Sequence, residues 1–245
     1  MTTAGAQMQR IPGGAFRPLY NDGAQSDNAT DTIDVTPFYL DAETVTNAEF
    51  LAFARAHPKW RKSRIKALFA DRNYFRHWRD DSTLGDGAPR SAPVVNVSWF
   101  AAKAYCRARR AALPTAAQWE YAAAASETDA DASDDPAFIA RLLAWYSRPR
   151  GHQDGVGRFR NVHGVYDLHG SVWEWVLDFN SALSSGESRA DSARDRQLYC
   201  AAGVVGASTY VDYPSFLRYG YRSSLDGRYT HSELGFRCAA AQVES

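Results

Sequence analysis

The sequence predicts a mixed fold in which a few short helices and short strands frame an aromatic-rich core. Capping signals open three helices, at Thr46, Ser98 and Thr115. Gly, Pro, Asn, Asp and Ser punctuate short β-prone runs, as at residues 35–40, 94–97 and 198–205. The 245 residues include 7 Trp, 13 Tyr and 12 Phe, rings that fill a core built from few long elements.

Thr46-Asn-Ala-Glu49 reads as a capping box, in which the threonine oxygen and the glutamate each satisfy a backbone N–H left open at a helix start. Phe50, Leu51 and Phe53 give that helix an apolar side, and His57-Pro58 stops it. Ser98 caps a second helix over 99–110. Its closing Arg107, Arg109 and Arg110 are expected to complement the helix C-terminus from a solvated face. Thr115-Ala-Ala-Gln118 is a second capping box, opening a helix through Trp119 and Tyr121. Residues 69–78 and 138–146 are expected to add short helical turns, and 80–91 and 127–135 to be exposed loops. The second loop carries DADASDD, yet lacks the glycine at position 6 and glutamate at position 12 of an EF-hand.

Lys and Arg total 28 and Asp and Glu total 28, so charge gives no reason to expect nucleic acid or an anionic membrane as partner. No apolar run reaches the length that crosses a bilayer. The opening MTTAGAQMQRIPGGAF shows no basic-then-apolar leader, making the cytoplasm the default expectation and the periplasm that for a processed form.

The most informative segment is 164–175, GVYDLHGSVWEW, which sets Glu174 between the indoles of Trp173 and Trp175. A carboxylate carried into such surroundings needs a partner, since an unpaired buried charge costs about several kcal/mol. Either a cationic side chain or a metal ion meets it.

That segment resembles the GLYDMxGNVWEW signature of the formylglycine-generating enzyme (sulfatase-modifying factor) family. Residues 43–50 (ETVTNAEF), 113–123 (LPTAAQWEYAA) and 234–239 (LGFRCA) match further blocks of that family in the same order. The resemblance covers residues 10–240 as one domain, leaving short tails at 1–9 and 241–245. It implies an α+β formylglycine-generating-enzyme fold with a C-type-lectin-like core, few regular helices and strands, and much irregular chain. The segments 198–203, 178–189 and 216–225 look similar to the NirV-type branch, whose genes lie near copper nitrite reductases.

Active members of the family oxidise a substrate cysteine with a copper(I)-binding cysteine pair, soft thiolates being suited to that ion. This chain has only Cys106, Cys200 and Cys238. Counting back from Leu234 puts Thr209 and Pro214 at the two catalytic positions, so copper is not expected there. Cys106 and Cys238 match positions that are disulfide-linked in some relatives. Either they are bonded here or they are two buried reduced thiols. Cys200 is buried filler, a reactive thiol or a soft metal ligand. Iron is not expected either: no two of the six histidines have helical ligand spacing, although His163, Asp167 and His169 are a conceivable two-histidine, one-carboxylate set.

The resemblance implies calcium at the turn before Glu174, bound by the Glu174 carboxylate and the carbonyls of His169, Gly170 and Val172. The alternative is Glu174 paired with an arginine. Residues 209–224 overlie the region where relatives hold their substrate peptide. There Thr209, Asp212, Tyr213, Pro214, Arg218 and Arg222 are either a cleft for a peptide, protein or small ligand, or strand and core packing. The expected function is a non-catalytic, accessory member of the family, supporting a copper nitrite reductase or related metalloenzyme. A metal-dependent oxidoreductase using Cys200 or the histidines is the alternative, and sulfatase maturation comes third.

Overall fold

The computed structural model describes residues 7–16, 32–147, 158–179 and 213–242. Along them run β1 (Met8–Ile11), β2 (Gly14–Phe16), β3 (Ile33–Val35), β4 (Phe38–Asp41), α1 (Asn47–Ala56), α2 (Trp99–Ala108), α3 (Ala116–Ala123) and α4 (Pro136–Tyr146). They are followed by β5 (Trp173–Glu174), α5 (Tyr213–Ser223), β6 (Leu234–Gly235) and β7 (Ala239–Ala241). These elements are short, and much of the described chain between them is turn and irregular backbone, as expected of an α+β fold of this kind. None of the described helices is long and apolar enough to cross a membrane.

β4 is the centre of an antiparallel sheet in the order β1-β4-β7, with Leu40 opposite Gln9 on one side and Ala239 on the other. A second antiparallel pair joins β2 to β3. The third pair matters most for the site. β5 and β6 lie parallel, Trp173 opposite Leu234 and Glu174 opposite Gly235, so the GSVWEW and LGFRC segments meet edge to edge. Gly235 is required there, because a Cβ would come within 2.7 Å of the Val94 carbonyl oxygen.

The three capped helices form as expected. At α1, Thr46 Oγ1 accepts from Glu49 N at 3.3 Å and Glu49 Oε2 accepts from Thr46 N at 2.8 Å. Thr115 and Gln118 repeat the box at α3 with bonds of 3.1 and 2.9 Å. We expect Thr46→Ala to cost about 1 kcal/mol, read as a lower urea midpoint at unchanged slope. The turn expected at 138–146 is a full helix, α4. It starts two residues earlier because Asp135 accepts from Ala137 N at 2.9 Å and Pro136 suits the first helical turn.

Three expectations are corrected. Residues 94–97 form no strand: Pro93 has no N–H to donate, and Asn96 at φ +50° breaks the extended path. Residues 213–223 are helix α5, not strand, since Ser215, Arg218 and Arg222 share one buried helical face. Arg109 is no solvated dipole partner. It forms a two-pronged ion pair with buried Asp41, Nη1 to Oδ2 at 2.7 Å and Nη2 to Oδ1 at 2.9 Å. The run 198–205 lies outside the described residues.

Cys106 on α2 and Cys238 before β7 are bonded to each other, which resolves the alternative left open by the sequence. Both are fully buried. Asp41 Oδ2 also accepts from Cys238 N at 2.9 Å, so crosslink and ion pair brace the same junction of α2 and the central sheet.

Candidate functional site

Two buried ion clusters meet at Trp119, the indole of α3. In one, Arg237 grips Glu174, donating from Nη2 to Oε1 at 2.7 Å and from Nε to Oε2 at 2.8 Å. Its other N–H groups reach the carbonyls of Asp41, Ala42 and Tyr166 at 2.9–3.3 Å. Trp119 Nε1 completes the carboxylate's partners, donating to Oε2 at 2.9 Å. Both charged side chains are fully buried, so this is an ion pair whose desolvation is offset by a nearly complete hydrogen-bond set.

The partner that this structure gives Glu174 is the cationic side chain: Arg237 donates to both carboxylate oxygens. The expected calcium donors Gly170, Val172 and Glu174 line one small crevice, and Glu174 Oε1 accepts a single bond from Arg237. His169, Gly170 and Val172 do lie in the turn beside it. Gly170 has φ +84° and a Cβ there would meet the Trp145 ring at 3.3 Å, which accounts for the glycine.

The second cluster is built on Glu120, the residue after Trp119. Arg218 Nε bridges both Glu120 oxygens at 3.0 Å and its Nη2 donates to Oε2 at 2.6 Å. Arg222 Nη1 donates to Oε1 at 2.7 Å. Arg218 also reaches Ser215 Oγ at 2.6 Å and Tyr146 OH at 3.2 Å. The two guanidinium carbons lie 5.6 and 4.6 Å from the Trp119 ring centre, so the indole face takes part of the excess positive charge. Burial works to raise the Glu120 carboxyl, but the two arginines outweigh it and hold the pKa at about 2. Arg218 is correspondingly held protonated by Glu120 and Tyr146 against its own desolvation.

Arg218 and Arg222 therefore do not face an open cleft as expected. Helical spacing turns both inward, onto α3 and α4. Pro214 is buried in the first turn of α5. Thr209 and Asp212 lie outside the described residues, as does the side chain of Tyr213. What remains beside the arginines is a narrow crevice walled by a ring stack. Trp173 lies between Tyr146, 5.5 Å away, and Tyr221, 4.5 Å away.

The histidine set is not assembled. His169 donates or accepts at both nitrogens, with Ala123 O 2.8 Å from Nε2 and Tyr146 OH 3.3 Å from Nδ1. Burial, reinforced by Arg218, lowers its pKa to about 3 and keeps it neutral. The Asp167 carboxylate accepts from the backbone N–H groups of Arg158 and Phe159 at 2.9–3.3 Å. Among the described residues no group of three His, Cys, Asp or Glu side chains is placed to hold a metal ion.

The same motifs that build these clusters define a family. The family described as "Sulfatase-modifying factor enzyme 1-like domain" matches residues 1–242. The chain belongs to the sulfatase-modifying factor family. The formylglycine-generating enzyme of Streptomyces coelicolor is 31% identical to it over 94% of this chain and 88% of the relative. The relative from Bos taurus named "Inactive C-alpha-formylglycine-generating enzyme 2" is 28% identical over 95% of this chain and 87% of its own length. Among solved structures, PvdO from Pseudomonas aeruginosa superposes with a TM-score of 0.53 at 21% identity, covering 96% of this chain and 94% of that one. This shared sulfatase-modifying-factor fold has few regular elements, as found above.

Sequence reasoning singled out Glu174 but missed Glu120, Trp119, Tyr146 and Arg237. The signal was present for one of them. Glu120 stands between Trp119 and Tyr121 as Glu174 stands between two tryptophans, and the same argument for a buried carboxylate in need of a partner applies.

Proposed function

We propose that this chain is a non-catalytic, partner-supporting member of the sulfatase-modifying factor family. The observation that carries this reading is a count of cysteines. The chain has three cysteines, and Cys106 and Cys238 are joined to each other. Only Cys200 remains, and one thiolate does not make the two-sulfur copper(I) site on which formylglycine formation depends. A family relative whose own name calls it inactive supports the same view.

The finer assignment, support of a copper nitrite reductase or a related metalloenzyme, rests on the similarity of residues 178–189, 198–203 and 216–225 to the NirV-type branch. The Cys106–Cys238 crosslink favours a compartment where disulfides persist, and so the periplasm over the cytoplasmic default.

Titrating the non-reduced protein with copper(I) against a competing chelator tests the reading. No copper is expected to be retained. Retention of one equivalent that Cys200→Ser abolishes would overturn it in favour of a metal-dependent oxidoreductase.

A further inference from the structure

A cleft of about 750 Å³ lies on the side of the molecule formed by β1 and the turn from β4 into α1. None of the side chains of the two ion clusters lines it, although Arg237 donates from behind to the carbonyls of Ala42 and Tyr166 in its wall. Its floor is the segment 42–49. At one end Ala48 N donates to Arg90 O at 3.0 Å, which fixes Arg90 beside the first turn of α1. At the other, Tyr166 N donates to Ala42 O at 2.7 Å, and Arg160 pairs with Tyr166 in an antiparallel bridge. Arg160 thereby lines the same cleft as Glu43.

Three features of the cleft ask for a ligand. Thr44 is 2% exposed, lines the cleft, and its Oγ1 has no hydrogen-bond partner. A buried hydroxyl left unpaired is destabilising, so selection against it is expected unless something supplies the bond. Glu43 makes no ion pair among the described residues. Burial, together with the charges of Asp167 and Glu49, raises its pKa, the state a cationic partner would relieve. Arg160 stands over the Tyr166 ring, 5.9 Å from its centre, with its guanidinium otherwise unpaired among the described residues.

The helix end itself offers nothing to an anion. The N–H groups of Asn47, Ala48 and Glu49 are already taken by Ala92 O, Arg90 O and Thr46 Oγ1. Glu49 is likewise spent on its capping box. A lone anion would meet Glu43, and a lone cation would meet Arg160.

We propose that this cleft binds a small zwitterion of the amino-acid or short-peptide class, its ammonium seated on Glu43 and Thr44 Oγ1 and its carboxylate on Arg160. Guanidinium and carboxylate are matched donors and acceptors for such termini. The mixed polar and apolar walls and the cleft's size suit a ligand of this kind. This inference stands on residues that the proposed accessory role does not use, so either can fail alone.

Isothermal titration with a panel of Xaa-Gly dipeptides carrying each natural side chain provides the test. At least one dipeptide is expected to saturate the protein and to lose affinity about tenfold or more on N-acetylation or on C-terminal amidation. Glu43→Gln and Arg160→Gln, both at partly exposed positions, are expected to weaken binding similarly while circular dichroism and melting temperature stay unchanged. Thr44→Val is expected to weaken binding with a melting temperature unchanged or raised, which a merely structural hydroxyl would not do. Absence of saturable binding at millimolar dipeptide, or equal affinity in the wild type, Glu43→Gln and Arg160→Gln, overturns the proposal.

Discussion

Replacing Cys106 and Cys238 together by alanine is expected to lower stability by about 5 kcal/mol. The bond links residues 132 apart, and tying so distant a pair removes more of the unfolded chain's freedom than closing a short loop would. For a chain of this size that loss corresponds to a melting temperature lower by about 10–20 °C. Thermal unfolding with and without reductant checks it: reductant should bring the wild type down to the level of the double variant and leave the variant unmoved. The effect reaches beyond the sulfurs. Cys238 N is bonded to Asp41, which is itself clamped by Arg109, so loosening this junction unsettles the base of the β1-β4-β7 sheet.

Glu120→Ala is expected to cost about 3–5 kcal/mol, because it strands two buried guanidiniums with one indole between them. Glu120→Gln keeps the shape and loses the charge, and should fall short of that cost by what its amide oxygen still accepts. The acid limb of the stability curve separates the charge from the packing. The Glu120 pKa is about 2 in the folded chain against an ordinary 4.5. Its contribution is therefore complete above about pH 4.5 and disappears as pH falls through about 2. Denaturant melts across that window should show a shallower slope for Glu120→Gln than for the wild type. His169 titrates in the same direction but earlier, since a neutral imidazole with its pKa at about 3 begins to cost stability once pH drops below 6.5. The Glu120 charge acts on His169 as well, so His169→Gln in both backgrounds isolates the Glu120 contribution.

The parts of the fold that local chemistry determines were legible in the sequence. Thr46, Ser98 and Thr115 each hold the N-terminus they announce, because a cap is made by residues within three positions of one another. Glu174 was legible as a carboxylate in need of a partner, since its two indole neighbours are adjacent in the chain. Its actual partner was not, because Arg237 lies 63 residues away and reaches it only through the β5–β6 pairing. Arg109, read as a solvated helix-end residue, and Arg218, read as lining a cleft or packed in a strand, lacked their partners for the same reason. Only the packing of α2 on β4 brings Asp41 to Arg109, and only that of α5 on α3 brings Glu120 to Arg218. The helical state of 213–223 escaped notice because Pro214 and Gly220 lower its intrinsic helix propensity, and burial of one face outweighs them.

The chain keeps the carboxylate–arginine clusters that hold the fold together and has one cysteine left over after its crosslink. Incubating the copper(I)-treated protein with a peptide containing Cys-Xaa-Pro-Xaa-Arg in air, and following the peptide by mass spectrometry, tests that account most directly. The cysteine is predicted to remain a thiol or its simple disulfide, with no aldehyde trapped by a hydrazide probe. Catalytic accumulation of formylglycine in the peptide would contradict it.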